Sequence, residues 1–211
     1  MRDISYIFFH TAAFDGRNAD AGEIDRWHRA RGWNGIGYNY VIIDDRHDTL
    51  ADGEVEKGRN EDKVPAHVAG VNSKSIGICC VGHGDHRDFT ARQKKSLAKL
   101  VAKLCRKYDV PVENVLGHRE VNRLVAEGKV GKEFRTSKTC PGTKVDTDEI
   151  RSLVARELGA GTVLTTKAGH DHADSIKAAL ALLAENSELF GNAEEEWKAF
   201  YNNGEIRSIM A

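Results

Sequence analysis

Two regular patterns of apolar residues organise the first 160 positions of the chain. Runs rich in β-branched and aromatic residues predict strands over residues 4–10, 38–43 and 75–81. The run over 75–81 has no polar side chain after its first residue, Ser75, which is typical of a strand at the centre of a sheet. The turn signal Asp52-Gly53 predicts a hairpin after the second strand, and residues 112–116 predict a short edge strand. The pattern therefore predicts five strands.

Helices are predicted between these strands, where apolar residues recur at steps of three and four. One helix is predicted over residues 20–31, with acidic residues near its start. The clearest helix begins at Thr90 and continues to Tyr108, and another opens on an acidic cap and spans residues 146–158. The alternation of strands and helices predicts an α/β fold, in which helices flank a mixed central β-sheet.

The last part of the chain differs from this core in charge. Residues 161–211 carry four basic and eight acidic side chains, which leaves 27 basic and 24 acidic side chains in residues 1–160. Amphipathic helical patterns also occur around Leu180 and Trp197. We therefore predict a compact domain over residues 1–160, followed by an acidic helical C-terminal extension of unknown role over residues 161–211.

The total charge excludes some functions. With 31 basic and 32 acidic side chains the net charge is −1, so a strongly basic nucleic-acid surface is not expected. No apolar stretch reaches the roughly 18 residues that span a membrane. The first residues lack the basic start of an export signal. We expect a monomer that is made in the cytoplasm and neither binds nucleic acid nor inserts into a membrane.

Among the four cysteines, Cys140 differs from the others in the polarity of its sequence neighbours. Cys79 and Cys80 lie in an apolar strand pattern and Cys105 lies on the apolar face of a helix, so we expect these three to pack in the core. Cys140 lies in a polar stretch, where the nearby Lys138 is expected to favour the thiolate. A thiolate is the form that a metal ligand or a nucleophile requires.

Three potential metal ligands lie near the ends of predicted elements: His10, His118 and Cys140. Two imidazoles and one thiolate leave one position of a tetrahedral zinc ion open, which is the arrangement of a catalytic zinc site. The spacing of the three residues does not distinguish such a site from three unrelated polar residues. It also does not exclude a hydrolase that uses Cys140 as its nucleophile.

Six short motifs surround these residues. They are IFFHTA at 7–12, GW at 32–33 followed by GYNY at 37–40, AHVAGVN at 66–72, SIGI at 75–78, GHRE at 117–120 and KTCPG at 138–142. With these motifs in this order, the chain resembles the zinc-dependent N-acetylmuramoyl-L-alanine amidases of the amidase 2 family over about residues 4–158. That family includes phage lysozyme-type amidases and is similar to peptidoglycan recognition proteins.

The resemblance implies an amidase fold with a catalytic zinc ion held by His10, His118 and Cys140. It makes Tyr38 the catalytic tyrosine, which either positions the attacking water or gives a proton to the leaving nitrogen. It makes Lys138 a catalytic lysine that stabilises the oxyanion. The alternatives are a core aromatic residue for Tyr38 and a surface lysine for Lys138.

His67 matches a family position near the substrate cleft, and Asn72 lies five residues after it. His67 and Asn72 are therefore predicted substrate contacts, and the alternative for His67 is a hydrogen-bonded loop histidine. One departure from the family lies between His118 and Cys140, where 21 residues predict an enlarged loop over residues 121–132 beside the cleft. No metal contact is expected from the histidines at positions 28, 47, 83 and 86.

The implied activity is hydrolysis of the amide bond between N-acetylmuramic acid and L-alanine of the peptidoglycan stem peptide. The favoured interpretation is a bacteriophage endolysin, made in the host cytoplasm and released to the cell wall for host lysis, because Tyr38 and Lys138 match the phage pattern. The alternatives are a cytoplasmic amidase that recycles soluble muropeptides and a non-catalytic peptidoglycan-binding module. The presence of Cys140 argues against the binding module.

Overall fold

The computed structural model describes residues 2–165, with side chains described through residue 159. Five strands are present in this part of the chain: β1 Tyr6–Thr11, β2 Tyr40–Ile42, β3 Val55–Lys57, β4 Ser75–Cys80 and β5 Val115–Gly117. The same part contains four α-helices: α1 Ala21–Ala30, α2 Ala91–Tyr108, α3 Val121–Ala126 and α4 Thr147–Thr165. Apart from the end of α4, the predicted extension over residues 161–211 lies outside the described residues.

The strands form one mixed sheet in the order β3-β2-β4-β1-β5. β3 is antiparallel to β2, and the other three pairs are parallel. β4 lies at the centre of the sheet with all of its residues buried, and β5 lies at an edge, as their sequence patterns predicted. The predicted α/β fold, with helices flanking a mixed sheet, is confirmed.

Alternation of side chains along β1 divides the core between the two faces of the sheet. Ile7 and Phe9 pack in the larger cluster, which α2 and α4 cover. Phe8 points to the opposite face, which α1 and α3 cover. His10 comes two residues after Phe8 and therefore faces the same side as Phe8.

Local capping residues fix where the helices begin. The side chain of Asp20 accepts a hydrogen bond from the Glu23 backbone N–H at the start of α1. Thr90 and Gln93 form a reciprocal capping box at the start of α2. The amide of Gln93 also donates to the carbonyl oxygens of Ile42 and Val81, so the cap ties α2 to the sheet.

The predicted loop over residues 121–132 is wrong, because residues Val121–Ala126 form α3. Val121, Leu124 and Val125 repeat at helical spacing and pack with Phe8 in the core on that face of the sheet. The inserted length therefore adds a packed helix and not only a longer connection.

The predicted end of the last helix at residue 158 is also wrong. α4 continues through Gly159 to Thr165. Glycine costs about 1 kcal/mol relative to alanine inside a helix, but helical dihedral angles remain open to it. Among the residues that the structure describes, no helix combines the length and the apolar character that crossing a membrane requires.

Candidate functional site

The site lies at the carboxyl ends of neighbouring parallel strands, where open α/β sheets commonly bind ligands. His10 lies near the end of β1 and is only 1% exposed. His118 directly follows β5, in a short 3-10 turn. Because β1 and β5 are paired, the two rings meet edge to face with their centroids 4.9 Å apart.

Arg119, the residue after His118, holds the chain segment that carries Cys140. The backbone N–H of Arg119 donates to the Cys140 carbonyl oxygen at 2.7 Å. The guanidinium of Arg119 donates to the carbonyl oxygens of Thr139, Gly142 and Val145, at 3.2, 2.7 and 2.9 Å. One side chain therefore fixes the position of Cys140 relative to His118.

A carboxylate holds the same segment from the loop that follows β4. Asp85 accepts a hydrogen bond from the Thr139 hydroxyl and another from the Thr143 backbone N–H, both at 2.7 Å. The carbonyl oxygen of Gly84 accepts from the Lys144 N–H at 2.9 Å. The Cys140 segment is thus attached to two separate parts of the fold.

The side chains of His10, His118 and Cys140 fit a zinc ion. One ligand atom from each lies within 4.8 Å of the others. Tetrahedral zinc with bonds of about 2.3 Å to sulfur and about 2.0–2.1 Å to nitrogen requires about 3.5–3.6 Å between the two atoms. Cys140 Sγ lies 3.6 Å from His10 Nδ1. This pair therefore already has the separation that coordination requires.

Hydrogen bonds on the far side of His10 determine which of its nitrogens carries the proton. The Ser75 hydroxyl donates to the Val71 carbonyl oxygen at 2.9 Å, so it accepts from His67 Nε2 at 3.1 Å. His67 Nδ1 then accepts from His10 Nε2, 3.0 Å away. His10 Nδ1 is left with a free lone pair facing Cys140, as metal binding through that atom requires.

Burial keeps the imidazoles of the site neutral. Burial, together with His67 and His118, holds the pKa of His10 well below its usual value. Burial lowers the pKa of His67 to about 3. Burial and the charge of Lys138 lower the pKa of His118 to about 4. All three rings are therefore unprotonated at neutral pH, and a histidine must be unprotonated to bind a metal ion.

The Cys140 thiol differs from the sequence expectation. Burial raises the pKa of Cys140 to about 11, and this effect outweighs the opposing effects of the Thr11 backbone N–H and of Lys138. Without a bound metal ion, the prediction that Cys140 is a thiolate is therefore wrong. Cys140 is more shielded from water than its polar neighbours in sequence suggest. The positive charge of a metal ion would favour the deprotonated form.

Tyr38 borders the metal-ligand cluster. Its ring centroid lies 5.1 Å from that of His10 and 5.6 Å from that of His28. Tyr38 precedes β2 and is not part of the strand predicted over residues 38–43. Burial and the thiols of Cys79 and Cys140 hold the pKa of Tyr38 well above its usual value, so its phenol remains a hydrogen-bond donor at neutral pH.

Lys138 is the cation nearest in sequence to Cys140, and it is exposed. Its positive charge contributes to the lowered pKa values of His10 and His118. An exposed ammonium group beside buried ligands is free to meet a substrate oxygen that approaches from solvent.

The two predicted substrate contacts make hydrogen bonds within the protein. Both ring nitrogens of His67 are engaged, one by His10 and the other by Ser75. Asn72 Oδ1 accepts from the backbone N–H groups of His67 and Val68, each at 2.9 Å. Their contacts with substrate stay predictions, and these bonds give both residues a part in holding the site together.

Sequence reasoning missed three residues that position the ligands: Ser75, Asp85 and Arg119. Ser75 and Arg119 lie inside the SIGI and GHRE motifs, so their place in those motifs was the available signal. Asp85 lies in no motif and carried no comparable signal.

The remaining cysteines lie in the core, as expected. Cys79, Cys80 and Cys105 are all buried, and burial raises the pKa of each thiol. In the described part of the chain, Cys140 is the cysteine with partial exposure.

Comparisons with known proteins match this chain to amidases, phage endolysins and peptidoglycan-recognition proteins. A family model described as N-acetylmuramoyl-L-alanine amidase, Amidase_2, matches residues 1–143. The endolysin of Escherichia phage T7 is 37% identical over 121 residues, which cover 54% of this chain and 74% of that protein. Peptidoglycan-recognition protein SC2 of Drosophila melanogaster is 31% identical over 122 residues, which cover 57% of this chain and 54% of that protein.

A solved structure agrees with these matches. The N-acetylmuramoyl-L-alanine amidase LysC from Clostridium intestinale superposes with a TM-score of 0.57 and 28% identity. The superposition covers 73% of this chain and 87% of LysC.

Proposed function

Since the chain belongs to the Amidase_2 family of N-acetylmuramoyl-L-alanine amidases, we propose that His10, His118 and Cys140 bind the zinc ion with which it cleaves peptidoglycan. The bond cleaved is the amide between N-acetylmuramic acid and L-alanine of the stem peptide. The observation that carries the zinc assignment is the position of one ligand atom from each of the three residues within 4.8 Å of the others.

The surrounding residues have separate tasks in this reaction. A zinc ion at the site supplies a Lewis acid and lowers the pKa of water to about 7. His67 keeps His10 in the tautomer that binds through Nδ1. Tyr38, protonated at neutral pH, is suited to position water or to give a proton to the leaving nitrogen. Lys138 stabilises the negative charge that develops on the carbonyl oxygen.

The protein acts as a phage endolysin on the cell wall of the host. Its similarity to the endolysins of phages T7 and KP32 supports this assignment. As an endolysin it is made in the host cytoplasm, reaches the wall after release and works as a monomer. Its substrate is then the intact peptidoglycan sacculus, whereas a recycling enzyme prefers soluble muropeptides. Turnover of the two substrates side by side distinguishes these functions.

Two substitutions test the site. Cys140→Ser is expected to lose zinc and activity together, because it removes a thiolate ligand. Lys138→Ala is expected to keep zinc and lose most turnover, because it removes only the cation near the carbonyl oxygen. Lys132→Ala, at another exposed lysine of the same connection, is the matched control and should keep both.

The measurements are the zinc content of each purified protein and mass spectrometry of the peptidoglycan that it digests. Mass spectrometry locates the cleaved bond, so cleavage elsewhere would contradict the proposed activity. Full turnover in Lys138→Ala would reject the role of the lysine. Activity that survives metal removal but is lost on thiol alkylation would replace the zinc mechanism with a nucleophilic Cys140.

A further inference from the structure

A second group of potential metal ligands lies apart from the His10 cluster. It consists of Asp15, His83 and His86, which each offer one ligand atom within 4.8 Å of the other two. Asp15 lies in the loop after β1, and the two histidines lie in the loop after β4. β1 and β4 are parallel neighbours, so these loops leave the sheet at the same edge.

The two histidines are already arranged side by side. Their rings are stacked, with centroids 3.8 Å apart and planes 9° from parallel. Because the lone pair of an imidazole lies in the plane of its ring, one ring must turn out of this stack before both bind the same ion. A turn fixes their spacing, because the His83 carbonyl oxygen accepts from the N–H groups of His86 and Arg87, at 2.9 and 3.0 Å. His86 Nδ1 lies 2.6 Å from Asp15 Oδ2.

One nitrogen of this group lacks a partner. Within the described part of the chain, His83 Nδ1 is buried and makes no hydrogen bond. Buried polar atoms in native proteins are nearly always paired, so an unpaired nitrogen on a residue of this group calls for an explanation. Contrary to the expectation from sequence for His83 and His86, we propose that Asp15, His83 and His86 bind a second divalent transition-metal ion.

The donor set indicates which ion binds. Two imidazoles and one carboxylate suit zinc and neighbouring first-row ions, and remaining positions are left for water. Bonds of about 2.0–2.2 Å require about 2.9–3.4 Å between the carboxylate oxygen and the imidazole nitrogen. The distance of 2.6 Å between His86 Nδ1 and Asp15 Oδ2 must therefore increase by less than about 1 Å when the ion binds. Asp15 and His86 are both exposed, so their side chains have room for this adjustment.

A nearby cation makes this site weaker than the first. Arg46 Nη1 lies 3.8 Å from Asp15 Oδ1 and competes for the negative charge of that carboxylate. Asp15 Oδ2 is the oxygen beside His86 and remains the one directed to the ion. We therefore expect zinc to fill the His10 site first and this site at higher concentration.

Binding here would also act on the Cys140 segment. Asp85 lies between the two histidines in sequence and accepts hydrogen bonds from Thr139 and Thr143. An ion held by Asp15, His83 and His86 would restrain the loop that carries Asp85. Its effect is therefore expected both on thermal stability and on the position of the Cys140 segment.

The test is titration of the full chain with Zn²⁺ after metal removal, followed by calorimetry. The native protein is expected to bind two equivalents. His86→Ala and Asp15→Asn should each keep the tighter equivalent and weaken the other by more than about tenfold. Cys140→Ser should lose the tighter equivalent and keep the weaker one. Asp62→Asn removes an exposed carboxylate elsewhere and serves as the control that keeps both.

Thermal unfolding of Cys140→Ser with and without Zn²⁺ gives a second measurement. We expect the ion to raise its Tm, and to raise it much less when His86→Ala is added. A single equivalent in the native protein would overturn the proposal. A second equivalent whose affinity is unchanged in both His86→Ala and Asp15→Asn would also overturn it. These outcomes do not depend on the proposed amidase function, because none of them is read from activity.

Discussion

Replacing His67 tests whether its hydrogen bond to His10 sets the affinity for zinc. In His67→Leu, the acceptor 3.0 Å from His10 Nε2 is lost, so nothing fixes the proton on that nitrogen. Loss of such a partner lowers metal affinity by about 10–100-fold. This range corresponds to about 1.4–2.8 kcal/mol of binding free energy.

His67→Asn is the matched variant. An asparagine carries its amide oxygen close to the position of the histidine Nδ1, so it restores an acceptor for His10. The His67 ring lies close to the backbone at Gly77, where an added Cβ would come within 2.5 Å of the ring. A shorter side chain fits this space without displacing the strand. We therefore expect His67→Asn to recover most of the zinc affinity that His67→Leu loses.

Competition with a coloured chelator measures the zinc dissociation constant of the three proteins, and thermal unfolding confirms that the variants are folded. Native affinity in His67→Leu would refute the reasoning, because the hydrogen bond would then have no effect on the metal. Equal losses in the two variants would show that the packing of the ring matters and the hydrogen bond does not.

Three further predictions concern stability. Leu124→Ala should cost about 2–5 kcal/mol of unfolding free energy in urea, because Leu124 is fully buried on the inner face of α3; a cost below about 1 kcal/mol would contradict its packing. Thr90→Ala should cost about 1 kcal/mol in the same assay by removing the cap of α2, and no loss would show that the cap is dispensable. The lowered pKa values of His10, His67 and His118 mean that the unfolded state binds more protons below about pH 6.5. The unfolding free energy of the metal-free protein should therefore fall as the pH decreases from about 6.5 to about 4, by up to about 1.4 kcal/mol per pH unit for each ring; a flat profile would contradict neutral buried imidazoles.

Local signals predicted much of the fold. The run over residues 75–81, which has no polar side chain after Ser75, identified β4 as central, because a strand covered on both faces buries the side chains on both. Asp20 and Thr90 marked helix starts, because a cap acts within three residues of its own position. The helical spacing of Val121, Leu124 and Val125 was the available signal for α3. The prediction of a loop rested instead on the large number of residues between His118 and Cys140.

The candidate site was predictable to the extent that its residues lie in motifs. His10, His118 and Cys140 were named from the order of six motifs, and the structure places them together. The role of Arg119 was hidden, because its partners are backbone carbonyl oxygens 20 to 26 residues away. The raised pKa of Cys140 was unpredictable for a similar reason. Burial, which raises it, depends on the folded surroundings, whereas the sequence shows only the opposing charge of Lys138.

The position of β1 between β4 and β5 has a consequence for how the enzyme is made. Each partner of β1 is synthesised long after it, and the cluster ligands His10 and Cys140 are 130 residues apart. Parallel pairings between such distant segments form late in folding, because the intervening chain must first be closed into a loop. A nascent chain on the ribosome therefore cannot bring the three proposed zinc ligands together until Cys140 has emerged. On the proposed assignment, zinc binds only after the sheet has formed and the segment that carries Cys140 has joined its edge.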